Sequence, residues 1–248
     1  MKAANQALVW DLPTRLFHWM LAGGVFAAAG FAFLSDDHGT LFIFHAIFGL
    51  FAAFLVLLRV AYGFVGSRHA RFSSFLFRPA DVLAYAQGVL TGKGKRSVGH
   101  NPGSALAIFA MLALVLCIAS TGVLLGNGFE SVEEIHEVLA ITLLVVVAAH
   151  ILGVALHTFR HRENITAGMI HGRKDVAETE GIPSARPFLA WVFVAMVALW
   201  TFRLVAGVDL RAQTLRVPVV GWTVALDGEG ESEVSDRHRG EEDRDDDD

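Results

Sequence analysis

The stretch that decides the fold is HEVLAITLLVVVAAH, residues 136–150. Apart from Glu137 and Thr142, the side chains between its two histidines are apolar. Fourteen residues of α-helix turn through about 1400°, about 40° short of four full turns, and rise about 21 Å. His136 and His150 therefore share one face of a predicted helix at two well-separated heights. The pattern predicts that this face binds something through imidazole twice.

The composition predicts a membrane protein. The chain has 248 residues, 54% of them hydrophobic, and a mean hydropathy of +0.49, which is more apolar than a soluble domain with one buried core. The first apolar run begins at Leu16, and no small-residue cleavage pattern follows it before the next span. We therefore expect this run to remain as a membrane span rather than to be removed as a signal peptide.

Cysteine usage and motifs exclude several kinds of site. The single cysteine, Cys117, lies in an apolar run, so neither a disulfide framework nor a thiolate metal site is available. Any metal must be held by histidine or carboxylate. The sequence also contains no phosphate-binding glycine loop, no nucleic-acid motif and no thiol and carboxylate constellation for hydrolysis.

Five apolar windows are long enough for membrane helices, which need about 18 or more residues. They run from Leu16 to Leu34, Leu41 to Val65, Ala105 to Gly126, Ile135 to Phe159 and Phe188 to Gly207. We therefore predict an all-α membrane protein that crosses the bilayer five times.

Charged side chains decide the predicted orientation. The loop 66–103 carries six basic residues and one acid, Asp81, and a second basic group follows the fourth span. Because Lys and Arg are enriched in cytoplasmic loops, we predict an amino terminus inside and a carboxyl terminus outside. Residues 208–248 carry 13 acidic and 5 basic side chains. We expect this outer tail to be disordered, since like charges repel and few apolar groups can offset the entropy of ordering.

Four histidines fall into two layers when depth is measured from the outer end of each predicted span. At about 1.5 Å of rise per residue, His18 lies roughly 25 Å deep and His150 roughly 23 Å deep, whereas His45 and His136 lie within about 6 Å of the outer end. Two pairs at matched heights suit a planar macrocycle held edge-on between helices, with one axial imidazole on each side of its iron. We therefore predict two haems, an outer one at His45 and His136 and an inner one at His18 and His150.

Other interpretations of these histidines remain open at this point. Each could be an isolated residue hydrogen-bonded to a backbone carbonyl, and His157 is a rival ligand, although its depth of about 33 Å matches nothing on the first span. A histidine-lined transporter for a cation or proton predicts acids at mid-membrane, but Glu133, Glu134 and Glu137 lie at the outer end. A non-catalytic membrane anchor of a redox complex would need no haem.

Arg59 is the one further residue that we assign to the cofactor. It follows His45 by the same spacing that separates His136 from His150, so it lies on the face of His45 but at the level of the inner layer. A buried guanidinium needs an anionic partner, which a haem propionate would supply. The alternative is that the side chain reaches the cytoplasmic surface.

Small residues lie close to the predicted ligands. Gly49 follows His45 by one helical turn, and Gly153 follows His150 by three residues. Glycine at these positions would let a porphyrin face approach the backbone. The alternative is ordinary close packing between membrane helices.

Seven separated stretches carry a family resemblance. They are VWDLPTRLFHW, FHAIFGL, LLRVAYGFVGSRHARFSSF, RPADVLAYAQG, GHNPGSALAI, IHEVLAITLLVVVAAHILGVALH and RENITAGMIHGRK. Together, from about Val9 to Lys174, they resemble the bacterial cytochrome b561 and nickel-iron-hydrogenase-type cytochrome b family. The resemblance implies a four-helix transmembrane bundle that binds two b-type haems. The axial ligands of that family correspond to His18, His45, His136 and His150.

The resemblance also implies a function. Members of the family move electrons between a periplasmic donor or acceptor and the membrane quinone pool. The expected partners are therefore the lipid bilayer, a quinone, and a periplasmic c-type cytochrome or hydrogenase-like redox protein. We expect an electron-transfer cytochrome of the bacterial inner membrane that could serve as a subunit of a quinone oxidoreductase, could form a homodimer and binds no nucleic acid.

The expected organisation has three parts. A diheme cytochrome b domain covers residues 9–174, the stretch that carries the family resemblance. A linker and a fifth transmembrane helix follow at 175–207, and the acidic outer tail covers 208–248. The fifth span and the tail fall outside the resemblance, so their partner is not implied by it.

Overall fold

The computed structural model describes residues 6–34, 41–91, 97–219 and 221–226, which are mostly helical. The helices are α1 (Leu12–Leu34), α2 (Phe42–Val65), α3 (Pro79–Thr91), α4 (Pro102–Leu125), α5 (Glu133–His161), α6 (Ile165–His171) and α7 (Pro187–Ala206). The strands, all short, are β1 (Gln6–Leu8), β2 (Arg173–Asp175), β3 (Val208–Asp209), β4 (Thr214–Arg216) and β5 (Thr223–Ala225).

Five of these helices are long and apolar enough to cross a membrane, as predicted from the sequence. They are α1, α2, α4, α5 and α7, and each overlaps one predicted span. Large apolar side chains on their outer surfaces are exposed, for example Leu152 at 69% and Phe159 at 84%. Such side chains would be unfavourable in water and are covered when the helices lie in lipid.

Polar caps fix where two of the spans begin. Asp11 lies directly before α1, and its Oδ1 accepts a hydrogen bond from the Thr14 amide at 3.0 Å. Asn101 accepts from the Ser104 amide at 2.8 Å, while Ser104 Oγ accepts from the Asn101 amide at 3.0 Å. This reciprocal capping box, with Pro102 in the first turn of α4, satisfies amides that have no partner inside the helix.

The spans pack as two helix pairs. α1 packs on α2, α4 packs on α5, and α2 contacts α4 between the pairs. The fifth span, α7, lies against α1 and α2. Glycine permits one close approach, because a Cβ on Gly24 of α1 would lie only 3.0 Å from the Phe51 ring of α2. The buried side chains between the pairs are Ala52, Val56, Leu112, Val115 and Leu143.

The amino-terminal segment is tied to the chain that follows α5. β1 pairs antiparallel with β2, and the amides of Val9 and Trp10 donate to the Gly172 carbonyl at 2.8 and 3.0 Å. Gly172 ends α6 with a φ of +83°, a left-handed conformation that glycine adopts without strain. The start of α1, which carries His18, is therefore fixed beside the segment that follows the carboxyl-terminal end of α5.

The prediction of disorder throughout 208–248 is wrong for its first part. β3, β4 and β5 form an antiparallel sheet in that order. Leu215, Val217, Val224 and Leu226 are buried with Ile43 of α2 in one apolar cluster. The charge count over the whole segment concealed this, because most of the acids follow Leu226, whereas the preceding residues alternate apolar and polar side chains as a half-buried strand does. The acidic run 227–248 lies outside the described residues.

Candidate functional site

The outer pair of predicted ligands comes together across α2 and α5. The ring centroids of His45 and His136 are 6.2 Å apart, and the ring planes cross at 78°. A metal–imidazole bond is about 2.0–2.1 Å long, so two imidazoles on opposite sides of one metal ion have centroids about 6 Å apart. The observed separation fits a shared axial site.

A backbone carbonyl orients His45. Its Nδ1 lies 2.9 Å from the Ala28 carbonyl oxygen on α1. A carbonyl only accepts hydrogen bonds, so the ring nitrogen is the donor and Nδ1 carries the proton. The lone pair of this tautomer is on Nε2, which is the atom left to bind a metal.

A side chain of α4 orients His136. Its Nδ1 lies 2.9 Å from Thr121 Oγ1. The Thr121 hydroxyl also lies 2.9 Å from the Ile118 carbonyl and 3.1 Å from the Cys117 carbonyl, and we assign its single proton to these acceptors of its own helix. The hydroxyl oxygen then accepts from Nδ1–H, and the lone pair of His136 is on Nε2.

Sequence analysis missed Thr121, and only a weak signal could have found it. Threonine is common in membrane helices, where its hydroxyl bonds back to its own helix or across to a neighbour. Thr121 is separated from His136 by the turn between α4 and α5. The register of the two helices across that turn decides that these side chains meet.

The predicted inner pair, His18 and His150, lie near each other, but their rings are not in contact. His150 is near enough to His18 to interact with it electrostatically. The His18 ring meets Trp19 edge-on, with centroids 5.0 Å apart, and its buried Nδ1 has no hydrogen-bond partner among the described residues. A buried polar atom of this kind costs free energy unless it is bound. The His18 imidazole therefore has binding capacity that these neighbours do not use.

Open space lies beside both layers. A Cβ added to Gly49 or to Gly153 would meet no atom within 4 Å. Neither glycine therefore serves a close contact between helices of this chain, which was the alternative to a cofactor role. A flat group can approach the backbone at both positions.

Arg59 is buried, with only 4% of its surface exposed. Its Nη2 donates to the Ala70 carbonyl at 2.9 Å, and the guanidinium lies 5.1 to 5.9 Å from the ring centroids of Phe72, Phe17 and Phe75. Nη1 is also buried and has no hydrogen-bond partner within the described ranges. The alternative that Arg59 reaches the cytoplasmic surface is therefore wrong, and Nη1 is available to an anion.

His100 lies beside the inner layer, packed among aromatic side chains. Its ring lies 4.8 Å from Trp10 and 4.5 Å from Phe75, measured between ring centroids. Burial, together with the nearby charge of Arg59, lowers the pKa of His100 to about 3. His100 is therefore a neutral imidazole close to Arg59 and to His150, the predicted inner ligand.

The rival ligand His157 has another partner. Its Nε2 lies 3.6 Å from Glu163 Oε2, and Lys174 Nζ lies 3.5 Å from Oε1 of the same carboxylate. These three residues form a polar cluster at the carboxyl-terminal end of α5. The contact with an acid favours His150 over His157 as the inner ligand.

The donor set suits a haem better than a bare metal ion. Across the parts of the chain that the structure describes, no three His, Cys, Asp or Glu side chains converge as a tetrahedral zinc site requires. Imidazoles that arrive in pairs, with Nε2 as the available atom in the outer pair, are what a bis-histidine haem needs. The buried guanidinium suits a propionate.

Comparison with known proteins agrees with this donor set. The family described as prokaryotic cytochrome b561 matches residues 9–172, a range that contains all four predicted ligands. No curated protein and no solved structure gives a match. Because the match covers well over half of the chain, the protein belongs to the prokaryotic cytochrome b561 family, whose members are membrane electron carriers that bind b-type haem.

Proposed function

We propose that the protein carries electrons across the membrane through two b-type haems, each held by a histidine pair. His45 and His136 hold the outer haem, and His18 and His150 hold the inner one. The outer pair is the observation that carries the proposal. Its ring centroids are 6.2 Å apart, and both Nδ1 atoms are engaged, which leaves two Nε2 lone pairs for one iron.

The chain supplies position and environment for this chemistry. A bound haem supplies reversible one-electron transfer at its iron. α5 contributes one ligand to each layer and so fixes the two heights about 21 Å apart. The apolar spans exclude water from the ligands, and hydrogen bonds to Ala28 and Thr121 hold the outer rings in one tautomer.

Arg59 holds a propionate of the inner haem in this proposal. Its Nη2 and its aromatic neighbours fix the guanidinium, and its buried Nη1 has no partner among the described residues. The buried Asp11 already interacts electrostatically with the guanidinium, and a propionate carboxylate at Nη1 would add a second anion and satisfy the nitrogen.

The proposed partners lie at opposite ends of the spans. The basic loop 66–103 supports an orientation in a bacterial inner membrane with the inner layer toward the cytoplasm and the outer layer toward the periplasm. A periplasmic c-type cytochrome or hydrogenase-like protein would exchange electrons at the outer layer, and a membrane quinone would complete the circuit. The protein would then work as the cytochrome b subunit of a quinone oxidoreductase, with residues 9–174 as its diheme domain.

Electron transfer into sealed vesicles tests this proposal. Purified haem-loaded protein is placed in liposomes that contain trapped ferricyanide, and a membrane-impermeant reductant is added outside. We expect the trapped ferricyanide to be reduced with wild-type protein but no faster than in empty liposomes with His136→Ala. His157→Gln is the matched control on the same helix and should behave as wild type. Haem-loaded wild-type vesicles that match empty liposomes would reject the proposal.

A further inference from the structure

Helix α4 provides no predicted ligand, yet it touches the outer pair. We propose that Thr121 and Gly122 position the His136 ring against α4. Gly122 lets the ring approach the helix, and Thr121 Oγ1 accepts a hydrogen bond from Nδ1–H, which fixes the tautomer and orientation of the ligand. Thr121 is thus a positioning residue for the outer haem. The inference rests on the proposed function, because it assigns how one ligand of that haem is held.

The contact with Gly122 is steric. A Cβ at this position would lie 3.2 Å from Cε1 and 3.6 Å from Nδ1 of the His136 ring. The shorter distance is closer than a side chain normally approaches, so any larger residue would push the ring away from α4. The ring therefore packs on the bare backbone of α4 directly beside Thr121.

The contact with Thr121 has a fixed polarity. With the hydroxyl proton assigned to the helix of Thr121 itself, the oxygen accepts a hydrogen bond from the ring. The Ile118 carbonyl, which is also an acceptor only, interacts with the same ring. Two acceptors on one side of the ring require Nδ1–H, and they direct the lone pair of Nε2 away from α4.

This polarity has a consequence for the haem. An acceptor at Nδ1–H strengthens electron donation from Nε2, and a stronger donor stabilises the oxidised iron. Thr121 should therefore lower the potential of the outer haem. Thr121 contacts a ligand of the outer haem, so its effect should be confined to that haem. At the inner layer, Nδ1 of His18 has no such partner within the described ranges.

Redox titration of three variants in the haem-loaded full chain tests the inference. Thr121→Val keeps the shape of the side chain and removes the acceptor, Thr121→Ser restores it, and Thr142→Val is the matched control. The control fits because Thr142 of α5 also donates to its own helix, at 2.7 Å from the Val138 carbonyl, and is exposed. The readouts are the midpoint potential of each haem and the g values of the ferric haems in electron paramagnetic resonance.

We expect Thr121→Val to raise the midpoint potential of one haem only. Loss of a hydrogen-bond partner of a metal ligand typically changes metal affinity or activity by about 10-fold or more. A 10-fold increase in the reduced-to-oxidised ratio corresponds to about 59 mV for one electron. The g values of the same haem should change, because they depend on the angle between the imidazole planes. Thr121→Ser and Thr142→Val should match wild type.

Each other outcome decides against one specific claim. Wild-type protein with two haems and a Thr121→Val variant with unchanged potentials and g values would overturn the positioning role alone. If Thr121→Val loses the outer haem, Thr121→Ser must retain it at the wild-type potential, and failure of that rescue would also overturn the role. Folded, haem-supplied wild-type protein without haem would overturn the proposed function instead.

Discussion

The buried carboxylate at the start of α1 permits a quantitative test of how the inner layer is positioned. Asp11 is 0% exposed. Its Oδ1 accepts from the Thr14 amide at 3.0 Å, and its Oδ2 accepts from the Tyr62 hydroxyl at 2.6 Å. Since Tyr62 lies near the inner end of α2, this carboxylate ties α1 to α2 shortly before His18.

The expected losses of unfolding free energy come from these two bonds. Tyr62→Phe removes one hydrogen bond to a charged group, which contributes about 1.5–3 kcal/mol. Asp11→Ala removes that bond and the helix cap, which adds about 0.5–2 kcal/mol, so its total is about 2–5 kcal/mol. Arg186 also interacts with Tyr62. A double-mutant cycle isolates the Asp11 contact from it, with an expected coupling energy of about 1.5–3 kcal/mol.

The assay is unfolding of the purified protein in mixed micelles, followed by circular dichroism as the fraction of sodium dodecyl sulfate is raised. Tyr85→Phe is the matched control, because it removes the hydroxyl of the only other tyrosine in the chain and should change the unfolding free energy by less than about 0.5 kcal/mol. A coupling energy below about 0.5 kcal/mol between Asp11 and Tyr62 would refute the claim that their contact fixes α1 against α2.

Three further substitutions test separate parts of the structure. Burial lowers the pKa of His100 to about 3, whereas a histidine in the unfolded chain has a pKa near 6.5. The contribution of His100 to the unfolding free energy is therefore fully present above about pH 6.5 and falls by about 1 kcal/mol per pH unit below it. His100→Phe should flatten this pH dependence in thermal unfolding between about pH 7.5 and 5. Leu215 of β4 is 0% exposed, so Leu215→Ala should cost about 2–5 kcal/mol of local stability, seen as faster proteolysis within 208–226 at unchanged haem content. Arg59→Met should lower the midpoint potential of one haem, because it removes a positive charge that stabilises the reduced form. A unit charge at a separation of about 10 Å contributes roughly 1–2 kcal/mol at an effective dielectric constant of about 20. Unchanged potentials would remove Arg59 from the cofactor site.

The number of spans could be predicted because the signal is local. A helix in lipid must satisfy its backbone internally and present apolar side chains outward, so each span is a continuous run in the sequence. The heights of the two predicted ligands on α5 rest on an equally local signal. The spacing of His136 and His150 on one helix determines their separation without knowledge of the neighbouring helices.

Contacts between helices could not be predicted in this way. The bonds from Ala28 to His45 and from Thr121 to His136 depend on how two helices are rotated and shifted relative to each other. Neither acceptor belongs to a sequence pattern, since one is a backbone carbonyl and the other is an ordinary membrane-helix threonine. The packing of Phe17, Phe72 and Phe75 around Arg59 is likewise visible only in the fold.

The sheet of β3, β4 and β5 shows the limit of averaging charge over a long segment. The charge of residues 208–248 predicted disorder, but Leu215 and Val224 lie in the less acidic part and are buried against the ends of α2 and α4. A window that stopped at residue 226 would have shown alternating apolar side chains and predicted strands.

Counting haems tests the pairing of imidazoles most directly. Purified full-length protein, produced with sufficient haem, is examined by its reduced-minus-oxidised spectrum and by the pyridine haemochrome assay against a protein assay. We predict two b-type haems per chain in wild type and one after His45→Ala or His18→Ala, with different haems lost in the two variants. Folded protein that contains no haem, or that keeps both haems after either substitution, would contradict the pairing.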